Sequence, residues 1–269
     1  MPPVILKDSL ERLYRKYNRR EFVHPDPLEF LYHYEGLCDR EIVAFVASSL
    51  AYGRVAYILK SVSFVLERMK PTPSEFLKRT SLETIHQTFS GFRHRFTNDQ
   101  KLCAMLFGVK KVIERHGSLK ACFSAGLNDG DDTILPALSA FTRELTDCAD
   151  DNLEHSVPSP TKGSACKRLN LFLRWMVRSD EVDPGGWENV PASMLIVPVD
   201  THMHKICHLL GLTARKHADM ITATEITKAF RNIAPADPVR YDFCLTRLGI
   251  RKDADIAAFV KQFRRLSIS

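Results

Sequence analysis

Apolar residues recur at three- and four-residue steps along almost the whole chain. Ile42, Phe45, Val46 and Leu50, then Ile58, Val62, Val65 and Leu66, then Leu135, Leu138, Phe141 and Leu145 each trace one stripe of a helix. No stretch shows the two-residue alternation of a half-buried strand. A striped helix buries its apolar side only against other elements, so the pattern predicts an all-α fold. Breaks at Pro71/Pro73, Gly126 to Gly130, Pro158/Pro160, Pro184 to Gly186 and Pro235/Pro238 divide the chain into roughly ten helices. Capping residues mark their starts: Asp39 before REIVAFV, Thr133 before ILPALSAF, Asp200 before THMHKICHLL, and Thr222 or Thr224 before EITKAF.

With 269 residues, 45% of them hydrophobic, the chain has enough apolar surface for a real core in one large or two small domains. No apolar run reaches the roughly twenty residues that cross a bilayer. The segment MPPVILKDSLERLYRKYNRR lacks the features of a secretion signal, so a cytoplasmic protein is expected, nucleoid-associated in a bacterium. Seven cysteines stand singly, without C-x-x-C pairs, and are expected to be free thiols. The formal net charge of +6 is uneven. Basic residues gather at Arg12 to Arg20, at Arg93 and Arg95, at Lys162, Lys167 and Arg168, and from Arg251 to Arg265; acidic ones gather at Asp129 to Asp132 and Asp147 to Glu154. Solvated helix faces account for such runs. The alternative is a basic surface facing nucleic acid, with the acid behind it.

Two phrases carry the candidate chemistry. The stretch ADDNLEHSVPSPTKGS, residues 149 to 164, is long for a connection between two strong helices, and such loops are commonly functional. It leads into SPTKGSACKRLNLFLRWMVR, read as a helix from about Ser164 to Arg178. Downstream, PVDTHMHKICHLLGL places the Asp200 carboxylate at a helix N-cap, an ordinary structural use of aspartate. His202, His204, Cys207 and His208 are dense enough to suggest metal ligands, but on one continuous helix they cannot all aim at one ion. No metal or cofactor is expected.

The phrase P-V-D-T-H followed by an amphipathic helix ending in L-G-L resembles the catalytic loop of helix-hairpin-helix (HhH-GPD) DNA glycosylases. In that superfamily a hairpin of two helices grips the DNA backbone, a lysine opens its second helix in bifunctional members, and the aspartate follows. The resemblance is nearest two groups. In 8-oxoguanine DNA glycosylases a cysteine follows the lysine by four residues, as Cys166 follows Lys162; the longer spacing to the aspartate is similar to that of archaeal GO glycosylases (AGOG). The resemblance implies an all-α, two-lobed fold with the active site between lobes. Residues 1–269 would form a single catalytic unit: 36–200 a helical lobe with inserting loop and hairpin, 1–35 with 201–269 the second lobe.

Site residues follow from the same resemblance. FVASSLAYGRVAYILKSVSFVLERM is similar to the segment bearing two serines and a DNA-inserting loop. Ser48 and Ser49 match the serines, Tyr52 would fill the gap left by a flipped nucleotide, and Arg54 would face the orphaned base. RYDFCLTRLGI makes Asp242 the reader of the base, a carboxylate suiting the N1-H and amine of a guanine. Relatives' stacking aromatic aligns with Thr246, which passes that role to Phe243 or Trp175. Ser49, Gly163, Lys167 and His202 would contact the DNA backbone. The hairpin reads PTKG rather than G-x-G, and the four-cysteine cluster motif of endonuclease III is missing.

The implied function is base-excision repair: removal of 8-oxoguanine from double-stranded DNA through a lysine Schiff base, with an AP-lyase step, by a monomer without membrane association. Lys162 is expected to attack the sugar and Asp200 to stabilise the transition state. Lys162 and Cys166, four apart near a helix start, would share one face and hold the base between them. Lys167 is the rival nucleophile, expected to point elsewhere as a phosphate-binding residue. A monofunctional or oxidised-pyrimidine glycosylase, or a non-catalytic DNA-binding protein, are the alternatives.

Overall fold

The computed structural model describes residues 3–147 and 157–250, together with Phe259. The expectations placed on Cys148, Asp150, Asp151, Glu154, the start of the 149–164 loop and the basic run from Arg251 lie outside the described residues.

Twelve α-helices order the described chain: α1 (Pro3–Tyr17), α2 (Leu37–Ser49), α3 (Val55–Arg68), α4 (Pro73–Arg79), α5 (Leu82–Phe89), α6 (Asp99–His116), α7 (Leu119–Ser124), α8 (Leu135–Asp147), α9 (Lys167–Val177), α10 (Thr201–Leu209), α11 (Met220–Arg231) and α12 (Asp242–Ile250). The architecture is mostly helical, as the apolar periodicity predicts. One departure is an antiparallel pair, β1 (Arg93–His94) and β2 (Thr97–Asn98), in register Arg93 with Asn98 and His94 with Thr97. Strands of two residues are too short to produce an alternation in the sequence.

Helix α2 occupies the centre: Glu41 to Ser49 are buried without a break, as expected of a helix apolar nearly all round. It packs on α9, the 3-10 turn Pro27–His33, α4, α3 and α7. Phe45 meets Phe172 of α9 and Phe141 of α8 edge to face, with centroids 5.5 and 6.3 Å apart. The buried Glu41 carboxylate accepts from Trp187 Nε1 at 2.9 Å and from the Leu119 and Lys120 amides at 2.9 and 3.3 Å, capping α7 from another element. One hydrophobic cluster runs from Leu6 to Leu248. Helix α1 closes on α12 through Glu11, which accepts from Tyr241 Oη at 2.6 Å and Arg240 at 3.2 Å.

The capping expectations divide. Asp200 caps α10, and Thr133 Oγ1 accepts from Leu135 N at 3.4 Å at the start of α8. Asp39 is a correction: α2 begins two residues earlier, at Leu37, and the Asp39 carboxylate accepts instead from the Ser74 amide at 2.8 Å. Helix α11 begins at Met220 under Asp219, whose carboxylate takes the Thr222 amide at 2.8 Å. Thr222 and Thr224 therefore sit inside the helix, their hydroxyls donating to the His217 and Met220 carbonyls at 2.6 and 2.9 Å. Among the described residues no helix is long and apolar enough to cross a membrane.

Candidate active site at the starts of two helices

Helix α9 begins later than the sequence suggests. Pro160–Lys162 form a 3-10 turn closed by Gly163 in the left-handed region (φ 81°), and Cys166 is left-handed as well (φ 47°). Continuous helix starts only at Lys167. This overturns the expectation that Lys162 and Cys166 share a helical face, because the chain from one to the other does not follow one helical path. Lys162 stands exposed on the turn. Cys166 is buried, its thiol donates to the Pro158 carbonyl at 3.3 Å, and burial pushes its pKa up to about 11. It is a core thiol held in its protonated form.

The residue the helix start does present is Lys167. Its Nζ donates to the Ala51 carbonyl at 3.3 Å and lies 4.0 Å from Asp200 Oδ2. Asp200 Oδ1 is held by the His202 and Met203 amides, both at 2.9 Å, which fixes the other oxygen toward the lysine. The two side chains keep 27% and 35% of their surface exposed. Burial lowers the Lys167 pKa, with Arg168 pushing the same way, and Asp200 pulls against them. The positive end of the α9 dipole also disfavours the ammonium form. The arrangement is a partly accessible amine and a carboxylate set at adjoining helix starts.

The loop Leu50 to Arg54 connects α2 to α3 beside this pair. Ser49 is buried, and its carbonyl accepts from Arg168 Nη1 at 2.9 Å; it faces α9 rather than an open surface. Tyr52 is half-buried, with its hydroxyl 2.9 Å from the His94 carbonyl and 2.7 Å from Thr97 Oγ1, so it anchors the β hairpin instead of projecting. Arg54 and His202 are exposed. Gly163 is tied back to α11, its carbonyl accepting from the Met220 amide at 3.1 Å.

The residues expected to read and stack on a base are placed otherwise. Asp242 is buried and ion-paired with Arg174 of α9, which also holds Asp183 at 3.0 Å. Its Oδ2 is engaged by a core guanidinium, and burial raises its pKa against that attraction, with Asp200 adding to the rise. Phe243 and Trp175 are buried, and Phe243 packs under the Arg174 and Arg247 guanidinium groups. Neither presents a ring face outward. Among the described residues no three His, Cys, Asp or Glu side chains gather as metal ligands; His204 Nε2 is bonded to the Arg215 carbonyl at 2.9 Å.

A family model described as "Protein of unknown function (DUF2400)" matches residues 26–251. The chain belongs to this family. No curated protein and no solved structure matches it significantly. The DUF2400 span takes in Lys167, Asp200, Tyr52, the β hairpin and the Arg174 network. Lys167, in the sequence only the rival nucleophile expected to point elsewhere, is the amine that the structure sets beside Asp200. The glycine of PTKG marks only the end of the turn, where it permits the left-handed residue.

Proposed function

We propose that this chain is a DNA N-glycosylase with an AP-lyase step, in which Lys167 is the nucleophilic amine and Asp200 its carboxylate. The observation that carries the reading is the Lys167–Asp200 pair, with the lysine depressed toward its neutral form by burial and the aspartate clamped by two amides. The order of hairpin turn, lysine and P-V-D phrase supports it, through the resemblance to helix-hairpin-helix glycosylases. With that resemblance the reading includes a two-lobed organisation, 36–200 against 1–35 with 201–269, and a grip on DNA backbone by helix N-termini.

The reaction is written on these two residues. The neutral Lys167 amine attacks the sugar C1′, and the C1′–N bond breaks with its electron pair leaving on the base. Asp200 stabilises the positive charge developing on the sugar and takes a proton from the attacking nitrogen, which it returns to the departing base. Ring opening, with a proton to O4′, converts the aminal to an iminium. Loss of a C2′ proton then expels the 3′ phosphate. The target base is inside a duplex and must first be rotated out.

The proposed lesion is 8-oxoguanine, the substrate of the groups the sequence resembles most. Asp242, Phe243 and Cys166 are engaged in the core and do not support base reading by themselves. Duplexes carrying 8-oxoguanine, an oxidised pyrimidine or an abasic site, incubated with the full chain, test the reading. Release of 8-oxoguanine and cleavage at the abasic site are expected; cleavage of neither would overturn the glycosylase, and release of pyrimidines alone would overturn the lesion.

A further inference from the structure

Three large apolar side chains are exposed among the described residues: Tyr57, Phe96 and Ile221. Phe96 differs in its support. It stands at the tip of the β1–β2 hairpin with 61% of its surface open, and its ring lies parallel to that of Tyr52 (interplanar angle 7°, centroids 6.5 Å apart). Tyr52 is bonded to both hairpin strands, through the His94 carbonyl and Thr97 Oγ1. His94 is braced in turn, its Nδ1 2.9 Å from Ser61 Oγ of α3 and its Nε2 3.1 Å from the Tyr52 carbonyl. A tip held at four points keeps its geometry when pressed against a partner.

The hairpin also locks to the loop next to the lysine. Arg95 adopts φ 52°, a left-handed backbone that an arginine rarely takes, and its side chain lies across Gly53. A Cβ at Gly53 would come within 2.7 Å of Arg95 Cδ, and Gly53 itself has φ 102°, so only glycine lets the two loops meet. From the tip the contacts lead inward: Phe96 to Tyr52, the Arg168 guanidinium 5.0 Å from the Tyr52 ring, and Lys167 on the Ala51 carbonyl. On the hairpin, Arg93 and Arg95 are exposed, as are Arg54 on the neighbouring loop and Lys60 on α3, which packs on β1. An open aromatic ring among cations matches the chemistry of a stacked polyanion, since bases offer π faces and phosphates take the charge.

We propose that the Phe96 ring enters the base stack of duplex DNA next to the nucleotide attacked by Lys167, with Tyr52 as its backing and Arg54, Arg93 and Arg95 on the flanking phosphates. This inference rests on the glycosylase reading and moves the inserting side chain from the Leu50–Arg54 loop, where the sequence put it, to the hairpin. Tyr52 is half-buried and bonded to the hairpin, whereas Phe96 carries the exposed ring at its tip.

The test uses the full chain and a duplex with a tetrahydrofuran abasic analogue flanked by 2-aminopurine, whose fluorescence rises on unstacking. The unmodified chain is expected to raise the signal. Phe96→Ala is expected to need about ten-fold more protein or to give no rise, on the scale of one lost base–aromatic contact, and Phe96→Trp to restore it. Equal signals from Phe96→Ala and the unmodified chain, or no rise from the unmodified chain, would overturn the proposal. In parallel the unmodified chain is treated with cyanoborohydride on a single-stranded abasic oligonucleotide, where no unstacking is needed. An adduct there without a duplex signal removes Phe96 and leaves the lysine chemistry; a Phe96-dependent duplex signal without an adduct supports Phe96 and removes the lyase.

Discussion

The two ends of α9 carry charge in opposite ways. At its C-terminal end Arg174 holds Asp183 and Asp242, and Arg178 holds Asp180, Asp183 and Asp237, all but Asp180 and Asp237 almost wholly buried. At its N-terminal end one lysine faces one aspartate at 4.0 Å, with both side chains partly accessible. The C-terminal cluster satisfies each guanidinium with several carboxylate oxygens, which is how buried charge is kept tolerable. Such a cluster joins α9 to the start of α12 and to the segments before it, with its Arg174, Arg178, Asp183 and Asp242 side chains buried away from any substrate. The N-terminal pair is a single long contact between partly exposed side chains, with a lysine pKa pulled down by burial. Perturbed groups left accessible are the ones available for chemistry.

The largest effect expected from this contrast is on stability. Arg174→Ala leaves Asp242 buried without its counter-ion and Asp183 with Arg178 alone, and is expected to cost about 3–5 kcal/mol, read as a fall in the midpoint of urea unfolding. A change of under about 1 kcal/mol, the range of exposed pairs, would erase the distinction between the two ends.

Asp200→Asn comes next and should act on rate alone. Asparagine caps a helix as well as aspartate does, so the unfolding midpoint is expected to stay nearly constant. Base release is expected to fall by about 3 kcal/mol in barrier, roughly a hundredfold, because the charge facing the sugar is gone. A variant that unfolds early but excises normally would make Asp200 a cap and nothing more.

The smallest effect is a shift in pH dependence. The Asp200 anion raises the Lys167 pKa against the lowering effect of burial. Removing that anion favours the neutral amine, so adduct formation in Asp200→Asn, though slower, is expected to reach its half-maximum at lower pH than in the unmodified chain. An unchanged or higher midpoint would show that the two groups are not coupled.

How much of this was legible in the sequence varied with the range of the interaction. The helices were, because a 3.6-residue stripe is local, and so was the α10 start, because Asp200 caps it with its own side chain. The start of α9 was not: the left-handed backbone at Cys166 is uncommon for a residue other than glycine and leaves no mark in composition. Asp242 looked available for a base because its partner Arg174 lies 68 residues away on another helix. The hairpin bearing Phe96 was hidden by strands of two residues, and its register depends on Tyr52 from a distant loop.

Whether Lys167, in the first turn of α9, is the reacting amine of the proposed glycosylase is decided by trapping with borohydride on an abasic duplex. Lys162→Gln is expected to form the covalent adduct at a level close to the unmodified chain, since Lys162 stands on the exposed turn before the helix. Lys167→Gln is expected to form none while keeping its unfolding midpoint. An adduct that persists in Lys167→Gln and disappears in Lys162→Gln would contradict the account and move the chemistry from the helix start back to the turn.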